Sequence, residues 1–305
     1  MITGIHHVTA LASDPQTNID FYVGVLGLKL VKTTINYDDP GMYHFYYGDG
    51  VGRPGTILTF FPLGGIRRGR IGTGQVVSTA LSVPVGSTKH WSERLTEHGV
   101  PFDARQTAIS LADPDGLALI LKEIEGDVRP GDNDAGCVAP EFAIRGIDSV
   151  TLQVAEAAPT LELLTERMGF DISQDGDGRF TAASDVSGNA VYLHESEEGD
   201  ARGLSGPGTV HHVAFRLPSD AEQDKWRDEL LALGYHVSPV MDRQYFHSIY
   251  YREPGGILFE LATDTPGFLA DGETVETLGR RLQLPQKLEA KREIIEAHLP
   301  KLRIP

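Results

Sequence analysis

Two short apolar segments carry adjacent histidines, Ile5-His6-His7-Val8-Thr9 and Val210-His211-His212-Val213-Ala214, and a third, Ile257-Leu258-Phe259-Glu260-Leu261, holds a single carboxylate. Imidazole and carboxylate together are divalent-metal chemistry, and with one cysteine in the chain, Cys137, any such site must be built from nitrogen and oxygen. Successive side chains of a β-strand leave opposite faces, so at most one histidine of each pair points straight into a shared cavity. In the second segment Val213, Phe215 and Leu217 share a face with His211, whereas Ala214 and Arg216 share one with His212. The bulkier apolar face belongs under a helix, which leaves His212 on the open side. The same alternation sets Glu260 opposite Ile257, Phe259 and Leu261, where a carboxylate is costly unless a cation meets it. The candidate metal ligands are therefore His7, His212 and Glu260. Two neutral imidazoles and one carboxylate with open positions suit non-haem iron(II) and dioxygen, and manganese(II) could use the same ligands. Two alternatives stand beside this reading: each histidine could be a hydrogen-bonded structural residue, and Glu260 could pair with Arg243 or Arg252.

These residues need elements to position them, and the chain supplies a repeated unit. Alternating strands open at residues 4–9, 76–83, 146–154 and 209–217, and a helical apolar pattern follows each. The patterns run through Ile19, Tyr22, Val23 and Leu26; Trp91 and Leu95; Leu161, Leu164 and Met168; and Trp226, Leu230 and Leu231. A glycine stops each one, at Gly27, Gly99, Gly169 and Gly234. Further β-like segments follow, separated by turn signals such as Asp113-Pro114-Asp115-Gly116. The expectation is an α+β protein of four βαβββ modules. An N-terminal domain of two modules spans 1–128, a linker rich in Gly, Pro and acidic residues spans 129–143, and a C-terminal domain of two modules plus terminal helices spans 144–305. A two-fold relation between modules would bring the strands of His7 and His212 together. The first module offers Phe60 or Phe61 where the fourth has Glu260, leaving three ligands and a vacancy, as a catalytic site needs.

Composition narrows the partners. The 27 basic and 43 acidic residues give a net charge of −16, a field that repels phosphate backbones and anionic lipid, so neither nucleic acid nor membrane is expected. Met1-Ile2-Thr3-Gly4 does not open a secretory signal, no apolar stretch reaches the length of a membrane span, and a lone cysteine fits a reducing compartment, so a cytoplasmic location is expected.

Residues 4–9, Val210-His211-His212-Val213-Ala214-Phe215 and Tyr250-Tyr251-Arg252-Glu253-Pro254-Gly255-Gly256-Ile257-Leu258-Phe259-Glu260 resemble the vicinal-oxygen-chelate superfamily of glyoxalases, bleomycin-resistance proteins and extradiol dioxygenases. Within it they are most similar to the ring-cleaving dioxygenases that act on para-hydroquinones. The likeness covers almost the whole chain, including Tyr43-His44-Phe45-Tyr46-Tyr47-Gly48-Asp49 and Pro54-Gly55-Thr56. It implies modules paired into open β-barrels with helices outside, iron(II) on His7, His212 and Glu260, and a small aromatic diol, hydroquinone or catechol, cleaved with O2. It also implies catalytic roles for His211, Tyr250 and Arg243, and substrate contacts from His6 and Thr9. Strict alternation turns His6 and His211 away from the ligand face, so a twist or a bulge would be needed to bring them near. Rival activities on such a scaffold are a glyoxalase-type isomerase or thiol transferase and a non-catalytic ligand-binding protein of the bleomycin-resistance type. The isomerases want a fourth protein ligand, and the sequestering proteins are short chains without a triad. The terminal helices and paired modules lead us to expect a homo-oligomer.

Overall fold

A computed structural model describes residues 2–132, 137–174, 180–183 and 190–304. Each module is built as expected. The first has β1 (Ile5–Ala12), helix α1 (Pro15–Ile19) widening into a π-helical turn at Asp20–Val25, then β2 (Lys29–Ile35), β3 (Tyr43–Gly48) and β4 (Ile57–Pro62). The second has β5 (Gln75–Val83), α2 (Thr88–Glu97), β6 (Phe102–Ala104), β7 (Ala108–Ala112) and β8 (Ala118–Glu123). The third has β9 (Gly146–Val154), α3 (Ala157–Glu162), β10 (Asp171–Gln174), β11 (Phe180–Ala183) and β12 (Ala190–Glu195). The fourth has β13 (Val210–Leu217), α4 (Asp220–Ala232), β14 (Met241–Asp242), β15 (Phe246–Arg252) and β16 (Leu258–Pro266).

Local chemistry explains the helix boundaries. Asp14 caps α1 by accepting a hydrogen bond from the Thr17 amide at 2.7 Å, with Pro15 in the first turn. At the other end Gly27 adopts a φ of 68°, and an added Cβ would lie 2.6 Å from Val138 Cγ2. Only glycine meets both demands.

The strands form two curled, open sheets, in the orders β14-β15-β16-β13-β1-β4-β3-β2 and β10-β11-β12-β9-β5-β8-β7-β6. In every module the opening strand pairs in parallel with the last, and the opening strands of two modules join the halves through antiparallel β1·β13 and β5·β9 ladders. The first module thus shares a sheet with the fourth, and the second with the third. Sheet membership therefore cuts across the division at residues 129–143, which stands only as a proposal about units along the chain. The linker side is itself tied down: Arg129 Nη1 donates to the carbonyls of Gly55 and Ile147, at 3.1 and 2.9 Å.

One apolar cluster, including Val8, Phe60, Trp91, Val150, Phe215 and Phe259, runs through both sheets. Burying such side chains contributes roughly 1.5–3 kcal/mol each. Of the expected terminal helical segment 275–299, Gln286–Lys291 forms a 3-10 turn and α5 (Arg292–His298) a helix. The stretch before them covers the edge strand β2. There the fully buried Lys32 ammonium meets Asp271 at 2.7 Å, Glu273, and the Phe268 carbonyl at 3.0 Å.

Candidate metal centre

Three neighbouring strands supply the ligand candidates. His7 on β1 lies opposite Ala214 on β13, and Ala214 lies opposite Glu260 on β16, so a methyl group separates the two larger side chains in one row across the sheet. His212 stands two residues before Ala214 on the same face. The outcome is a tight triangle: His7 Nε2 to His212 Nε2 is 3.3 Å, His7 Nε2 to Glu260 Oε2 is 3.3 Å, and His212 Nε2 to Glu260 Oε2 is 2.8 Å. All three residues are buried.

This triangle fits a metal ion. Donor atoms bonded at about 2.1 Å to one ion in adjacent octahedral positions lie about 3 Å apart. Glu260 is fully buried, and its Oε2 makes no hydrogen bond among the described residues despite the two nearby nitrogens. A buried carboxylate oxygen so placed is expensive unless a cation joins it. Burial alone would push the Glu260 carboxyl up, but the facing His7 and His212 imidazoles hold it well below the usual carboxylate range. Burial likewise pushes His212 down, against a partial pull upward from Glu260. A neutral imidazole and an ionised carboxylate are the protonation states a metal requires.

The backbone also accounts for the adjacent histidines. The β1·β13 ladder slips between Ile5 and His7 and again between Thr9 and Ala10, so the extra residues are His6 on β1 and His211 on β13. Both are bulge residues, which is how they escape strict alternation. His6 Nδ1 lies 2.9 Å from His7 Nδ1, and His211 Nδ1 lies 2.8 Å from His212 Nδ1. If His7 and His212 donate through Nδ1, each directs the lone pair of Nε2 at the centre of the triangle. His6 is buried behind His7 against Phe246, with ring centroids 5.0 Å apart, and burial holds its pKa well down; it does not line the cavity. His211 does line it. Burial and then His212 lower its pKa, so it is neutral near pH 7.

Beside the triangle opens a cavity of about 460 Å³, walled by Leu11, Tyr46, Phe61, Leu63, Phe246 and Leu258, among others. Thr9, Arg243 and Tyr250 reach it as well. Arg243 Nε donates to Tyr250 Oη at 3.1 Å while Nη1 meets Asp38 at 3.2 Å, and the guanidinium lies 5.2 Å from the centre of the Tyr250 ring. Burial and the Glu260 charge raise the Tyr250 hydroxyl pKa well above its ordinary value, so it keeps its proton and can donate.

Two further polar residues at the site went unread in the sequence. Ser248 is fully buried and its hydroxyl donates to Glu260 Oε1 through a short contact. It stands two residues before Tyr250 on β15, whose register sets Tyr250 opposite Glu260, and that alternation was the signal that could have found it. His44 lines the cavity from β3, within the aromatic run Tyr43-His44-Phe45-Tyr46-Tyr47.

The fold and this site define a class. Residues 4–121 and 146–261 match the Glyoxalase/Bleomycin resistance protein/Dioxygenase superfamily, and the chain belongs to it. Relatives of similar length stand nearer. One from Bacillus subtilis, named "Putative ring-cleaving dioxygenase MhqO", is 45% identical over 303 residues, covering 97% of this chain and 95% of its own. The chlorohydroquinone/hydroquinone 1,2-dioxygenase of Sphingobium indicum is 33% identical over 308 residues, covering 94% of this chain and 93% of its own. The crystal structure of a "putative dioxygenase" from Bacillus subtilis superposes with a TM-score of 0.93 at 43% identity, covering 100% of this chain and 98% of that one. Glyoxalase I from Zea mays, at 15% identity and a TM-score of 0.63 over 86% of this chain and 92% of its own, shares the fold.

Proposed function

We propose that the chain is a ring-cleaving dioxygenase that opens a hydroquinone-type aromatic ring with O2, using iron(II) held by His7, His212 and Glu260. The observation that carries this reading is the convergence of His7 Nε2, His212 Nε2 and Glu260 Oε2 from three adjacent strands onto one point beside an aromatic-walled cavity. Among the described residues the cluster has three members, which leaves room for substrate and dioxygen and speaks against a four-ligand isomerase site. The full-length likeness to proteins named as ring-cleaving and hydroquinone dioxygenases supports the same choice.

Iron(II), when bound, supplies Lewis acidity toward a phenolic oxygen and an electron path to dioxygen, and manganese(II) could take the same ligands. The protein's own groups do the rest. His211, neutral and at the cavity wall, accepts from His212 at Nδ1 and so carries its proton on Nε2, from which it donates a hydrogen bond to the substrate oxygen as it binds. Tyr250, held protonated, donates a hydrogen bond toward developing negative charge on oxygen, and Arg243 behind it adds a fixed positive charge. Thr9 adds a hydroxyl on the β1 wall, and His6 acts through His7. The apolar walls exclude water from a reactive ring.

Oxygen uptake by protein loaded anaerobically with iron(II) or manganese(II), given a panel of hydroquinones and catechols, tests the proposal, with His212→Ala alongside. Uptake with a ring-opened product, lost in the variant, is the expected result. Tight metal binding without uptake would move the reading to an isomerase or transferase, and no metal binding would leave a ligand-binding protein. We further propose a homo-oligomer, measurable by sedimentation, and a cytoplasmic location. Among the described residues no helix is long and apolar enough to cross a membrane.

A further inference from the structure

His44 is a polar side chain of the cavity that the metal centre does not use. Its ring is clamped between Tyr46 and Phe61, with centroid distances of 4.1 and 4.2 Å, so its orientation is set by packing. Nε2 lies 2.6 Å from Thr59 Oγ1, and Thr59 Oγ1 lies 3.1 Å from Thr9 Oγ1. Thr59 is fully buried. Among the described residues Nδ1 makes no hydrogen bond, and it is the remaining polar atom of a ring that faces the cavity. Burial, reinforced by His7 and His212, keeps the imidazole neutral.

A neutral imidazole has one proton for two nitrogens. If the Thr59 hydroxyl donates to Thr9, then His44 Nε2–H donates to Thr59 and Nδ1 is an acceptor. If Thr9 donates to Thr59, then Thr59 donates to Nε2 and Nδ1–H is a donor. Both arrangements satisfy Thr59, so His44 can offer the cavity either polarity.

Position decides what it could meet. β3 is separated from β1 by β4, whereas β13 and β16 lie on the other side of β1. Phe45 pairs with Phe60, which lies beside Ala10 on β1, so His44 stands two strands across from β1 and several residues along from His7, with both side chains lining one cavity. A second hydroxyl ortho to the metal-bound oxygen stays beside the triangle. One in the para position points across the cavity.

We propose that His44, backed by Thr59 and Thr9, is a specificity-determining residue that hydrogen-bonds the hydroxyl para to the metal-bound oxygen, so that the site selects para-diols. This rests on the dioxygenase reading for the substrate class. The test is anaerobic calorimetric binding of hydroquinone and phenol to iron(II)-loaded wild type, His44→Phe and His44→Gln, with iron content measured for each. Wild type is expected to bind hydroquinone about 10-fold more tightly than phenol, the effect of one buried hydroxyl gaining a partner. His44→Phe should bring that ratio within about 2-fold while phenol affinity and iron content hold, and His44→Gln, which keeps a donor and an acceptor, should retain part of it. An unchanged ratio in His44→Phe overturns the proposal and leaves the dioxygenase reading standing. Loss of phenol affinity in both variants also overturns it, by making His44 structural. Wild type that binds neither ring overturns the proposal together with the reading beneath it.

Discussion

Replacing Ser248 with alanine separates a ligand-positioning residue from mere filling. Its hydroxyl is buried and donates to Glu260 Oε1, the carboxylate oxygen that does not face the triangle. That contact turns the carboxylate so that Oε2 alone points at His7 and His212. A hydrogen bond to a charged group contributes roughly 1.5–3 kcal/mol, and removing a partner that orients a metal ligand typically weakens metal binding by about 10–100-fold, or about 1.4–2.7 kcal/mol. Both routes give the same size. The assay is competition with a chromophoric chelator for iron(II) under anaerobic conditions, alongside thermal unfolding of the metal-free protein. Ser248→Ala should weaken iron(II) binding by about 10–100-fold while the metal-free protein still unfolds cooperatively. Iron(II) affinity within about 2-fold of wild type would refute the reasoning, since Glu260 would then keep its aim unaided.

The other predictions test neighbouring parts of the structure. Ala214 lies between His7 and Glu260, so Ala214→Leu should abolish iron(II) binding with every ligand intact; full metal stoichiometry in the variant would count against the triangle. Because Glu260 Oε2 is buried without a hydrogen bond, metal should stabilise the fold by about 2.7 kcal/mol at 100 times its Kd, and an unfolding temperature insensitive to chelator would contradict that. Asp113 carries a carboxyl that burial pushes up from 3.8 to about 6, although it accepts a hydrogen bond from Tyr22. Its stabilising contribution is fully present below pH 3.8 and is lost as pH rises through about 6. The stability of Asp113→Asn relative to wild type should therefore rise by about 3 kcal/mol between pH 3.5 and pH 7, read from denaturant unfolding, and a flat difference would contradict the burial argument.

Much of this protein could be read along the chain. The four modules were legible because each opening strand alternates, each helix pattern ends on a glycine, and Gly27, Gly99, Gly169 and Gly234 do adopt positive φ. Side-chain alternation also separated His7, His212 and Glu260 from their neighbours, since the period of a strand is a local property. Tertiary pairing was not local. Which modules share a sheet depends on β1 meeting β13 across more than two hundred residues rather than on any feature of either strand alone. The two bulges are products of that same ladder, so the placement of His6 behind His7 and of His211 at the cavity wall was decided only when the strands came together. Ser248 and His44 were hidden for a related reason. Alternation puts Ser248 on the face of Tyr250, but its partner is fixed only when the sheet sets it against Glu260, and a histidine in an aromatic run gains meaning only when the sheet curls it over the same cavity.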